Sequence, residues 1–150
     1  MSFPLAALVL LSYGQSKKAP AYVGEWVTIQ AAGVQGKEDL KLAKDGSFSM
    51  TLSLPNTTDH VAKGHYTVKA DELPPGTEDK RDCTVYLQLE NVDGKDIPKD
   101  SAAPKKLGFY NRGPILTDTL SIVFCHPGDQ AKITKMFASN AAASGAKGDG

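Results

Sequence analysis

Three histidines and two cysteines have the widest chemical reach in this chain: His60, His65, His126, Cys83 and Cys125. Zinc asks for three or four N or S ligands in a tetrahedral array, and Cys125-His126 with a remote Cys83 would supply three. The histidines follow no ligand spacing, however, and His65 falls on the polar side of an alternating run, where solvation is its expected state. With a disulfide competing for the thiols, no metal is expected. Nucleophilic catalysis needs a Ser or Cys activated by an oriented base, and no serine sits in a Gly-x-Ser-x-Gly elbow. The carboxylates Asp71-Glu72, Glu78-Asp79 and Asp93 with Asp96 lie in charged loops. No glycine-rich phosphate cradle leads from a strand into a helix. These residues predict neither an enzyme nor a cofactor.

The elements that must position these side chains belong to one domain, since 150 residues with 41% hydrophobic content suit a single globular core. Lys plus Arg and Asp plus Glu each number 17, so the formal net charge is zero. That balance leaves no electrostatic footprint for nucleic acid or an anionic membrane. Phe3 to Leu11 is an apolar run followed by Ser12-Tyr13-Gly14, which predicts a signal peptide over residues 1–16 and export to the periplasm or beyond. The run is too short to span a membrane. Because no Lys or Arg precedes it, a buried first strand is the alternative. In an oxidising compartment, two cysteines predict a Cys83–Cys125 disulfide. Such a bridge would contribute about 4 kcal/mol in the chain-entropy picture. The alternative is a pair of buried thiols acting as small hydrophobes.

Period-two alternation marks the strands. Val23 to Gln30 alternates around Trp26, and Leu40 with Leu42 marks a second strand. Asp45-Gly46 is a hairpin turn, since a type I′ turn requires positive φ. Ser47 to Leu54 then alternates cleanly, with Phe48, Met50, Leu52 and Leu54 on one face. Tyr66, Val68 and Ala70 carry a fourth strand, and Cys83, Val85, Leu87 and Leu89 a fifth. Leu107 to Asn111, Leu120 to Phe124, and Ala131 to Phe137 complete a set of eight. The charged Glu72 to Arg81 segment, with Pro74-Pro75-Gly76, and the polar stretch from Val92 to Lys106 are surface connections. Ala138 to Gly150 lacks large apolar residues and is expected to be a disordered tail, leaving a domain over residues 20–138.

Eight such strands predict an all-β fold, an antiparallel up-and-down barrel of the lipocalin-like kind. The alternative is a two-sheet sandwich of the transthyretin type, which the hairpins around Asp45–Leu52 and Gly64–Val68 resemble. Trp26 precedes both cysteines, against the Cys-Trp-Cys order of antibody-type sandwiches. In the barrel, Phe48, Met50, Tyr66, Val68, Val85, Leu87, Leu120, Ile122 and Phe124 would face inward, with Tyr110 supplying a polar group. Trp26 would plug one end. An eight-stranded barrel either fills with side chains or holds one small ligand.

Two stretches carry a family resemblance. Val23-Gly24-Glu25-Trp26-Val27 resembles the Gly-x-Trp opening of calycin barrels. Gly108-Phe109-Tyr110, Asp118-Thr119-Leu120, Pro127-Gly128 and Phe137-Ala138-Ser139 follow in the closing order of a bacterial family of small, mostly exported lipocalin-like domains of unknown function. Lys63 to Val68 is similar to its middle strand. Where that family tends to carry Arg-Pro before the last-strand threonine, this chain has Lys132-Ile133. An arginine packing over Trp26 is therefore missing there, with Lys132 or Lys135 as the substitutes at hand. The resemblance implies the barrel and gives Gly24 and Trp26 structural roles.

The expected function is non-enzymatic binding of a small apolar or amphipathic ligand inside the barrel of a monomer. The second expectation is a protein-interaction or inhibitor module with a solid core, acting through its loops.

Overall fold

The computed structural model describes residues 19–29, 36–70, 81–118 and 122–145, with side chains through residue 140. Its strands are β1 (Gly24–Thr28), β2 (Lys37–Leu42), β3 (Ser47–Ser53), β4 (His60–Ala70), β5 (Cys83–Val92), β6 (Lys95–Asp96), β7 (Lys105–Tyr110), β8 (Ile115–Asp118) and β9 (Val123–Cys125). A single 3-10 turn, Pro127–Asp129, leads into helix α1 (Gln130–Gly145). All pairings are antiparallel, and the ring runs β1-β2-β3-β4-β5-β7-β8-β9 and back to β1. This is a closed eight-stranded up-and-down barrel. Strand β6 lies outside the ring as a two-residue hairpin extension of β5. Closure through β4–β5 and β1–β9 overturns the sandwich alternative, because two stacked sheets would leave those edges unpaired.

Alternation sets the inner face. Trp26, Leu40, Leu42, Phe48, Cys83, Val85, Leu87, Leu107, Phe109, Leu116 and Phe124 form the buried core. Asp45-Gly46 turns β2 into β3 with Gly46 at φ 90°, and the Asp45 carboxylate accepts the Ser47 N–H at 2.9 Å. Among the described residues, a register shift lies between β4 and β5 at Lys63/Gly64, a bulge that skips Glu90 in the pairing with β4. Gly64 permits the close approach there: a Cβ on it would lie 1.9 Å from the Gln88 carbonyl oxygen.

Three expectations are corrected. Ala131 to Phe137 is helical, not a strand, because Ile133, Met136 and Phe137 follow i, i+3, i+4 spacing and the Ala-rich continuation favours helix. The eighth strand of the ring is instead Ile115–Asp118, a four-residue element paired on both sides. Third, Cys83 and Cys125 are buried thiols with no bond between them. They sit on β5 and β9, with β7 and β8 between, so the strand spacing of about 4.8 Å sets their backbones well beyond the ~7 Å that a disulfide tolerates. Their phases also differ, Cys83 lying in step with inward Val85 and Cys125 out of step with inward Phe124.

Helix α1 extends through Gly145, into the stretch whose composition suggests a tail, and it leaves Met136 and Phe137 exposed. No described helix is long and apolar enough to cross a membrane. The expected signal peptide over residues 1–16, the Pro74-Pro75-Gly76 loop and Leu120 fall outside the described residues.

Candidate functional site

One end of the barrel is sealed by rings. Trp26 is fully buried, and its indole N–H donates to the Tyr22 carbonyl at 2.9 Å. Phe109 meets Trp26 and Tyr22 edge-on at centroid distances of 6.1 and 6.0 Å, and Tyr22 meets Tyr66 at 6.2 Å. Such T-shaped pairs set the positive ring edge against a negative face. The Tyr66 hydroxyl donates to the Ala43 carbonyl, and burial pushes its pKa above the usual phenol value. The imidazole of His126 stacks on Trp26 at 3.9 Å. It is this ring that covers Trp26, while Lys132 and Lys135 are exposed on α1. Gly24, at φ 135°, brings the backbone past the same imidazole, 3.5 Å from where a Cβ would sit.

The middle of the barrel is filled. Trp26, Leu40, Leu42, Val85, Leu87, Leu107, Leu116 and Phe124 are each less than 2% exposed, so no water-sized void adjoins them. Of the residues expected to line a ligand cavity, Phe48, Val85, Leu87 and Phe124 are therefore core. Met50, Tyr66, Val68 and Ile122 are half-buried and pack against it. Tyr110 lies on the outer face, out of step with Phe109, its ring beside Gly108 and close to Arg81.

At the opposite end three charged side chains point into the barrel. Glu38 shares the phase of Leu40 and Leu42 on β2, Lys105 that of Leu107 and Phe109 on β7, and Asp118 that of Leu116 on β8. The Lys105 ammonium lies 3.4 Å from Glu38 Oε2 and 3.8 Å from Asp118 Oδ2. It also stands over the Phe124 ring, 5.7 Å from the centroid. Strands β2 and β7 are diametrically opposite in the ring, so the Lys105–Glu38 pair crosses the lumen.

Local bonds hold the Glu38 backbone and the Asp118 carboxylate. Thr28 on β1 accepts the Glu38 backbone N–H through its hydroxyl at 3.1 Å, and Asp118 Oδ1 accepts the Ile122 N–H at 2.8 Å. The side chains of Lys105 and Glu38 are 29% and 19% exposed and that of Asp118 only 4%, so the trio marks the boundary between filled barrel and solvent. Partly desolvated ions cost free energy that a well-packed apolar set would not. Charges held inside a lumen are therefore a functional candidate. Composition and motif spacing do not mark these residues; the signal in the sequence is their shared parity with inward leucines.

The outer wall at β3–β5 carries two further polar features. His65 Nδ1 lies 2.8 Å from Glu90 Oε1, beside a cleft of about 580 Å³ lined also by Lys41, Ser49 and Lys63. His60 Nδ1 lies 2.7 Å from Asp93 Oδ2, beside one of about 610 Å³. Both clefts are open to solvent, and no group of three or more metal-ligating side chains occurs among the described residues. Comparison with protein-family models, with curated proteins and with solved structures gives no match for this chain.

Proposed function

We propose that this protein is a non-enzymatic binding protein of the exported lipocalin-like kind, related to the small bacterial family its motifs resemble. It takes a small amphipathic ligand at the charged mouth of the barrel. The observation that carries this reading is the Lys105–Glu38 pair crossing the lumen directly above Phe124. A polar head group would meet Lys105, Glu38 and Asp118, and an apolar tail would lie against inward Leu52 and Ile122. Because the middle of the barrel is filled, the ligand is shallow, and its affinity comes from a modest apolar area at roughly 25 cal/mol per Å².

Native mass spectrometry of protein taken from the exported fraction tests this reading. An extra mass that is lost on denaturation, and is absent from a Leu52→Trp variant of unchanged thermal stability, is expected. Leu52 is chosen because it faces Glu38 in register on β3. A bare mass under ligand-retaining conditions favours the second reading, an interaction module. The filled interior supports that reading independently.

A further inference from the structure

We infer that a cleft on the outer wall of β1–β3 binds a neutral, polyhydroxylated ligand, a sugar or related polyol. It lies outside the barrel lumen and is independent of the mouth-binding reading. The register builds its floor: Glu25, Lys41 and Ser49 form one cross-strand row, and Val27, Asp39 and Thr51 form the next. Pro127 closes one side, and the cavity of about 410 Å³ falls within the roughly 300–1,000 Å³ of small-ligand sites.

Asp39 singles this cleft out. Its Oδ2 meets the Lys37 ammonium at 3.2 Å, whereas its Oδ1 is shielded from solvent with no hydrogen-bond partner among the described residues. A buried acceptor left unpaired costs free energy, and an incoming donor relieves that cost. The side chain as a whole is 44% exposed, and rotation about its Cβ–Cγ bond is soft, so either oxygen can be turned to a donor in the cleft. Charge decides which donor. Lys37 and Lys41 flank Asp39 along β2, and with Glu25 the lining carries two ammoniums and two carboxylates. Beyond the Lys37–Asp39 pair, none of the four enters an ion pair among the described residues. The set is neutral, so a singly charged ligand of either sign gains nothing over a neutral one. Vicinal hydroxyls match it: one donates to Asp39 while its neighbour accepts from Lys41, with Ser49 and Thr51 able to serve either role. Val27 has outward phase yet is only 8% exposed, and with Pro127 it offers an apolar patch to the C–H face of a sugar ring.

Amide NMR titration of the full isotope-labelled chain with glucose, galactose, mannose and N-acetylglucosamine tests the inference. At least one sugar is expected to give saturable shifts at the amides of Asp39, Lys41 and Thr51, with a millimolar dissociation constant. Because the ligand is neutral, raising the salt to about 0.5 M is expected to change that constant less than about twofold. Sodium acetate and methylammonium chloride are expected to give no saturable shift at the same amides. Asp39→Ala, an outward-facing change, is expected to weaken the sugar at least about tenfold. Absence of any saturable sugar shift at these amides, equal saturation by acetate or methylammonium, or undiminished binding by the folded variant would each overturn the site. The wild-type comparison of sugars with the two ions decides the matter even if the variant does not fold.

Discussion

His126 lies flat on Trp26, with ring centroids 3.9 Å apart and planes inclined by 29°, and its Nδ1 is 2.9 Å from the carbonyl oxygen of Glu25. The contact joins the first strand of the barrel to the residue that follows the last. It covers a buried aromatic surface and tethers the chain to the β1 backbone. Replacing His126 by Ala is expected to lower the unfolding free energy by about 1–2 kcal/mol, the range for losing an aromatic contact and its hydrogen bond. Trp26 is the sole tryptophan, so its emission reports directly. A red shift in the folded variant is expected, and unchanged emission with unchanged urea midpoint would refute the role.

Gly64 is the most closely approached of the described glycines. A Cβ there would lie 1.9 Å from the Gln88 carbonyl oxygen and 2.9 Å from Phe48 Cε1. Gly64→Ala must push β4 from β5 beside the bulge, at a cost of about 3 kcal/mol or more. Gly113→Ala meets nothing within 4 Å and serves as the neutral control. Thermal melts of the two variants side by side provide the check.

The cysteines give a third prediction. Burial raises the Cys125 thiol above its ordinary pKa, which keeps it protonated and poorly nucleophilic. The folded protein is expected to show the mass of the fully reduced chain without added reductant. It should resist alkylation at pH 8 until denatured, when both thiols should react. A mass lower by two hydrogens would restore the disulfide.

Acid stability depends on Asp93. A hydrogen bond from His60, then one from the Val61 N–H, hold the Asp93 carboxyl below its ordinary value of 3.8. A carboxylate whose pKa is lowered by folding contributes stability that is present above the unfolded value. That contribution is lost as pH falls through the folded one. Stability should therefore decline below about pH 4. Asp93→Asn tolerates the positive φ of 52° at this turn and should flatten part of the decline. Asp45, held low mainly by the Ser47 hydroxyl, supplies a remainder. Urea titrations between pH 2 and pH 6 on both proteins measure the difference; identical slopes would refute the assignment.

How legible the molecule is in its sequence varies along the chain. Ser47–Ser53 reads cleanly because one of its faces meets the core, and Asp45-Gly46 reads because only certain residues accept positive φ. Ile115–Asp118 hides because four residues cannot establish a period, and its partner β9 has only three. Ile133 and Lys135 mimic alternation inside a helix that packs little against the barrel, so no burial pattern separates the two. The charged mouth is invisible to motif spacing, because Glu38 and Lys105 are 67 residues apart and meet only when the ring closes. The parity of each with its leucine neighbours is visible, and closure turns that parity into proximity.

Ring closure also has a kinetic meaning. Most pairings join strands that follow one another along the chain, whereas β1 meets β9 through only two residue pairs, Val27 with Cys125 and Thr28 with Phe124. Joining segments so distant in sequence carries the largest loop-closure entropy in the fold. The barrel is therefore expected to zip shut along this seam last and to part along it first. Its amides, among them the Ile29 N–H bonded to the Val123 carbonyl at 2.9 Å, are expected to begin exchange with solvent while the β3–β4–β5 wall is still intact.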